Sequence, residues 1–139
     1  MEKILVSACL LGTNCKYDGT NNRNEKVLSY VKDKEVIPIC PEILGGLATP
    51  RVPAERLNDK VITRENDDVT ENFIKGACET LYIAKLFNVK KALLKAKSPS
   101  CGNGLIYDGT FTHTKKEGFG VTTELLRKNG IEVITEEDL

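Results

Sequence analysis

Five cysteines stand at positions 9, 15, 40, 78 and 101, and three of them occupy the same kind of place. Cys9 follows the apolar run Ile4-Leu5-Val6-Ser7-Ala8, and Cys40 follows Val36-Ile37-Pro38-Ile39. Cys101 follows Ala92-Leu93-Leu94-Lys95-Ala96 through the segment Lys97-Ser98-Pro99-Ser100. A buried strand that gives way to a loop marked by Gly or Pro ends at a sheet's carboxyl edge, where open α/β folds bind ligands. Three strands that each deliver a thiol to that edge bring three sulfurs to one site. Thiolates are soft ligands that select zinc, copper(I) or iron–sulfur clusters.

Structural zinc normally takes four ligands, often from paired C-x₂₋₄-C arms. No such pair exists here, the closest spacing being Cys9 to Cys15. Three thiolates on an iron–sulfur cluster leave one iron open, and an open metal position acts on a substrate as a Lewis acid. Cys15 is readable as a fourth ligand, as an alternative third, or as a thiol beside the ligands, and the last reading is preferred. Cys78 lies on the expected apolar face of a helix and is read as buried filler. His113 falls in a polar loop and is read as solvated.

Glu42, two residues after Cys40, faces the same crevice on this reading. A carboxylate withdrawn from bulk water has a raised pKa, which suits acid/base work. Ser98 and Ser100 can hydrogen-bond a ligand or cap the strand end. Lys97, Arg51 and Arg56 can hold an anion, with backbone N–H groups at Gly45-Gly46 and Gly118/Gly120 approaching it. Tyr17-Asp18 and Tyr107-Asp108 flank turns and are read as structural.

These residues need elements to carry them. Strands are expected at residues 3–8, Glu35–Ile39, Lys90–Ala96 and Ile131–Ile134, with helices at about Glu25–Lys32, Thr70–Phe87 and Val121–Lys128. The long helix should bury Phe73, Ile74, Ala77, Cys78, Leu81 and Ala84. Small hairpins are expected at residues 56–63 and about the Asp108-Gly109 turn, the second with a two-residue loop. Residues 41–56 read as irregular, and a long irregular stretch in a compact domain is usually functional. Alternating strands and helices give an α/β fold with a parallel sheet, a Rossmann-like three-layer sandwich of strand order 2-1-3-4. The 139 residues make one domain, 1–139. Formal net charge is zero, which disfavours a nucleic-acid polymer as partner. No run approaches the roughly 20 apolar residues that cross a bilayer. Val6-Ser7-Ala8-Cys9 resembles a lipoprotein cleavage box, but too few residues precede it for an export signal. The chain is expected to be cytoplasmic, with reduced thiols.

Taken together, Cys9-Leu10-Leu11-Gly12, Cys15-Lys16-Tyr17-Asp18-Gly19, Cys40-Pro41-Glu42 and Gly45-Gly46-Leu47 with Pro50-Arg51 and Pro53 resemble the DUF523 family. So do Ser98-Pro99-Ser100-Cys101-Gly102, Ile106-Tyr107-Asp108-Gly109 and Gly118-Phe119-Gly120-Val121, so the likeness spans nearly the whole chain. The resemblance implies a desulfidase that removes sulfur from thiolated pyrimidines with a [4Fe-4S] cluster. It implies three ligands, Cys9, Cys40 and Cys101, and one open iron. Glu42 and Ser98 would then be the acid/base and orienting residues, with Ser100, Lys97, Arg51, Gly45 and Gly46 near the substrate. The expected partner is a thiopyrimidine base, nucleoside or nucleotide acted on without redox change, by a monomer or homodimer. The rivals are a cluster- or metal-binding module without catalysis, and a metal-free enzyme with a cysteine nucleophile.

Overall fold

The computed structural model describes residues 1–139. Its centre is a four-stranded parallel sheet of β1 (Lys3–Ser7), β2 (Glu35–Ile39), β5 (Lys91–Leu94) and β8 (Glu132–Thr135), in the order β2-β1-β5-β8. Among the main strands this is the expected 2-1-3-4 arrangement. The pleat sends alternate side chains to opposite faces. Ile4, Val6 and Leu93 pack on one face with Val27 and Val31 beside α1 (Glu25–Tyr30). Leu5, Ala92, Leu94 and Val133 pack on the other with Ala84 of α3 (Thr70–Leu86) and Leu126 of α4 (Val121–Lys128). Each fully buried Leu or Ile in these layers contributes about 1.5–3 kcal/mol. Two antiparallel hairpins stand outside the sheet: β3 (Ala54–Leu57) with β4 (Lys60–Thr63), and β6 (Asn103–Tyr107) with β7 (Lys115–Phe119). No helix is long and apolar enough to cross a membrane.

Three expectations are corrected. The stretch after Cys40 is helical: α2 (Pro41–Leu44) begins with Pro41 at its first position, where proline's missing N–H costs nothing. The second hairpin does not turn in two residues, because Tyr107 pairs with Lys115 and residues 108–114 bulge out between them. Asp108 does turn the chain, accepting from the Thr110 N–H and hydroxyl, but Glu55 takes the N–H groups of Gly109 and Phe111 at 3.0 and 3.1 Å. Those donors are therefore spent on a neighbouring strand and not on a tight turn. On α3, Ile74 and Cys78 are exposed, while Phe73, Gly76, Ala77, Thr80 and Ala84 form the buried stripe. Apolar residues lie on both sides of this helix, and periodicity alone does not say which side meets the sheet.

Candidate active site

Cys9, Cys15, Cys40 and Cys101 all line one cavity of about 400 Å³ at the carboxyl edge of the sheet. Cys9 sits in the 3₁₀ turn Ala8–Leu11 that follows β1, closed by Gly12 at φ +106°, a backbone angle that a side chain strongly disfavours. Its carbonyl accepts from the N–H groups of Gly12 and Asn22, and the Asn22 amide reaches its sulfur at 3.5 Å. Cys40 caps α2 at the end of β2, and Cys101 lies in the tight loop after β5. The Ser98 hydroxyl holds that loop, accepting from the N–H groups of Ser100 at 3.1 Å and Cys101 at 3.0 Å. Gly120 seats against it so closely that a Cβ there would stand 2.3 Å from the Ser100 carbonyl carbon.

The four thiols differ in electrostatics. Hydrogen bonding from Cys15 lowers the pKa values of Cys9 and Cys40, while Cys15's own is pushed up. Cys9 and Cys40 are thereby biased to thiolate and Cys15 to thiol. Burial pushes Cys101 up to about 12, partly offset by the Ser7 hydroxyl, which donates to its sulfur at 3.7 Å. No three His, Cys, Asp or Glu side chains are gathered tightly enough to grip a single ion. A cluster takes each thiolate on a different iron, and the four sulfurs here line a single cavity.

Glu42 and Arg51 form the charged floor. The Arg51 Nε donates to Glu42 Oε1 at 3.0 Å, and the side chains are only 9 and 19 per cent exposed respectively. Burial raises the Glu42 pKa, and the guanidinium opposes that shift. Three further Arg51 bonds go to the Cys15 carbonyl at 2.8 Å, Thr49 Oγ1 at 3.0 Å and the Ala48 carbonyl at 3.3 Å. Arg51 is thus held largely by the protein, while its side chain still lines the cavity. A buried cation survives only when its donors are used.

Other expected residues scatter. Lys97 lines the cavity with φ +67° and pairs with Glu137. Ser100 is buried, sharing a hydrogen bond with Thr122 at 2.9 Å, and does not reach the cavity. Gly45 and Gly46 do not line it either; Gly45 is pressed onto α3, where a Cβ would stand 2.0 Å from the Asn72 carbonyl oxygen. Arg56 binds the Phe119 carbonyl and Glu124, joining β3 to the start of α4. Sequence reasoning missed the cavity's aromatic wall, Tyr17, Tyr107 and Phe111, together with His113, which meets Tyr107 edge-on at 6.5 Å. Both tyrosines precede turn-forming Asp-Gly pairs, and that turn chemistry masked their position.

A parallel α/β sheet that gathers free thiols and a buried carboxylate at its carboxyl edge defines a class of thiolate-site protein, unlike a disulfide-stapled or single-zinc domain. Comparison with known proteins narrows the class. A model of the 2-thiouracil desulfurase family matches residues 4–138. The chain is 44% identical to the uncharacterized protein YbbK of Bacillus subtilis, over 98% of this chain and 97% of that protein. A solved structure, the [4Fe-4S]-dependent thiouracil desulfidase TudS (DUF523Vcz), superposes with a TM-score of 0.93 at 44% identity, covering 100% of this chain and 93% of that one. The chain belongs to the 2-thiouracil desulfurase family, the DUF523 proteins, and is an enzyme of the desulfidase kind.

Proposed function

We propose that this chain, acting as a single domain over residues 1–139, is a non-redox desulfidase for thiolated pyrimidines. The observation that carries the reading is the meeting of four thiols, Glu42 and Ser98 in one crevice. Cys9, Cys40 and Cys101 would hold a [4Fe-4S] cluster, with Cys15 beside them as a proton-bearing thiol. Such a cluster, with one iron free of protein ligands, supplies a soft Lewis acid that polarises a thiocarbonyl sulfur.

The protein's own residues do the rest. Glu42 takes a proton from water as that water adds to the thiocarbonyl carbon, and its raised pKa makes it a stronger base than an exposed carboxylate. Arg51 fixes the Glu42 carboxylate through one oxygen, Oε1, leaving Oε2 for the water. Ser98 accepts two backbone bonds, so its hydroxyl proton remains to orient the pyrimidine or the water. The aromatic wall stacks the ring. Water and thiopyrimidine give the oxo-pyrimidine and hydrogen sulfide, with no electron transferred. A cavity of about 400 Å³ admits a base or nucleoside. Of the cations expected to hold an anion, Lys97 and Arg51 line the cavity but are already paired with Glu137 and Glu42, so the free base and nucleoside are favoured over the nucleotide.

The test is protein prepared without oxygen, measured for iron, sulfide and visible absorption, then assayed with 2-thiouracil, 4-thiouridine and their monophosphates. Sulfide release that depends on iron supports the reading. A cluster without turnover makes the protein a binding module, and turnover without iron that alkylation abolishes makes it a thiol enzyme.

A further inference from the structure

The loop of residues 108–114, which bulges between β6 and β7, supplies Phe111 and His113 to the cavity wall. Both stand in the left-handed backbone region, at φ +58° and +60°. A bulky side chain disfavours that region, and such residues persist only where surrounding contacts hold them. The loop's own bonds do not supply that hold. Asp108 donates its N–H to the Thr114 carbonyl at 2.9 Å, and its carboxylate takes the N–H and hydroxyl of Thr110. The hydroxyls of Thr110, Thr112 and Thr114 link to one another. None of these bonds involves Phe111.

Phe111 is held instead from the neighbouring hairpin. Glu55 of β3 takes the N–H groups of Gly109 at 3.0 Å and Phe111 at 3.1 Å on one oxygen, Oε1. Bonds to a charged acceptor are roughly twice as strong as neutral ones. Arg64, just past β4, sets its guanidinium over the Phe111 ring, 5.9 Å from the centroid. Gly109 abuts β3, where an added Cβ would stand 3.0 Å from the Leu57 Cβ. Glu55 and Arg64 both line the cavity as well. We propose that Glu55 is a positioning residue for the substrate. By clamping the Gly109 and Phe111 amides to β3, it fixes the aromatic wall against which a pyrimidine ring packs, and so sets affinity without entering the chemistry. The substrate half of this inference rests on the desulfidase reading above; the clamp itself does not.

Hydrogen–deuterium exchange on the iron-loaded protein, kept without oxygen, reads the clamp directly. The Gly109 and Phe111 amides should exchange at least about tenfold faster in Glu55→Ala than in wild type, with the central sheet and α3 unchanged. Glu55→Gln keeps an acceptor oxygen and should recover most of that protection. With 2-thiouracil as substrate, Glu55→Ala should raise KM at least about tenfold and change kcat less than about twofold, and Glu55→Gln should bring KM back to within about threefold of wild type. Equilibrium dialysis of uracil, which has no sulfur to lose, should give the same order of affinities. Wild type that binds uracil and releases no sulfide overturns the desulfidase reading alone, and exchange and dialysis then still decide the clamp. Unchanged exchange in Glu55→Ala, a freed loop with undiminished affinity, or a kcat that falls as far as kcat/KM overturns the proposal. So does a Glu55→Gln variant as impaired as Glu55→Ala, since the carboxylate would then act by its charge and not as an acceptor.

Discussion

At the scale of single residues, the site turns on a carboxylate kept from water and a guanidinium that keeps it there. Glu42→Gln preserves the shape and removes the base; turnover should fall about 10²–10⁴-fold with iron content and visible spectrum unchanged. Unchanged turnover would take Glu42 out of the mechanism. Arg51→Met has a different signature, because it strands the Glu42 charge and leaves the Cys15 carbonyl without its donor. Breaking a buried pair in this way should cost about 3 kcal/mol in urea unfolding. The double variant Glu42→Gln, Arg51→Met should recover part of that loss, since no unpaired charge then remains. A urea midpoint equal to wild type for the single Arg51 variant would mean that the pair has no structural weight.

At the scale of elements, α2 is set against α3 by direct backbone contact as well as by side chains such as Leu44 and Asn72. Gly45 and Gly76 let α2 and α3 touch so closely that a Cβ on Gly76 would stand 1.9 Å from the Pro41 carbonyl oxygen. Two effects compete in Gly76→Ala. Alanine in a helix interior is favoured over glycine by about 1 kcal/mol. Forcing a methyl into backbone atoms usually costs about 1–3 kcal/mol, and an oxygen fixed in a helix cannot move aside cheaply. The overlap should win, lowering stability and displacing Cys40 and Glu42 together, so that both iron content and turnover fall. A variant as stable and as active as wild type would show that α2 shifts without consequence.

At the scale of the whole molecule, the proposed ligands come from three loops far apart in sequence, at Cys9, Cys40 and Cys101. A group bound by all three ties the ends of β1, β2 and β5 together and binds the folded chain but not the unfolded one. Mass action then raises stability. Thermal unfolding without oxygen should move up by several degrees on reconstitution and return on chelation. Equal melting temperatures with and without iron would mean that the thiols do not hold the group jointly. The two corrections on α3 act at this scale too: the helix period found the element, but only the sheet decided which apolar stripe went inside, and that left the face carrying Cys78 free.

The amino-acid sequence by itself determined the strand–helix alternation and the placing of Cys9, Cys40 and Cys101 at strand ends, while the 2-1-3-4 order matches an expectation that only the strand pairing settles. The first two follow from local patterns: apolar runs, glycine and proline punctuation, and the chemistry of strand ends. Tertiary structure alone decided where Cys15 stands, that Arg51 serves Glu42, that Gly45 and Ser100 are packing residues, and that Tyr17, Tyr107 and Phe111 wall the cavity. The physical reason is range. A strand end is specified within a few residues, whereas the partner of a buried charge, or the ring across a cavity, is specified by which distant segment packs opposite it.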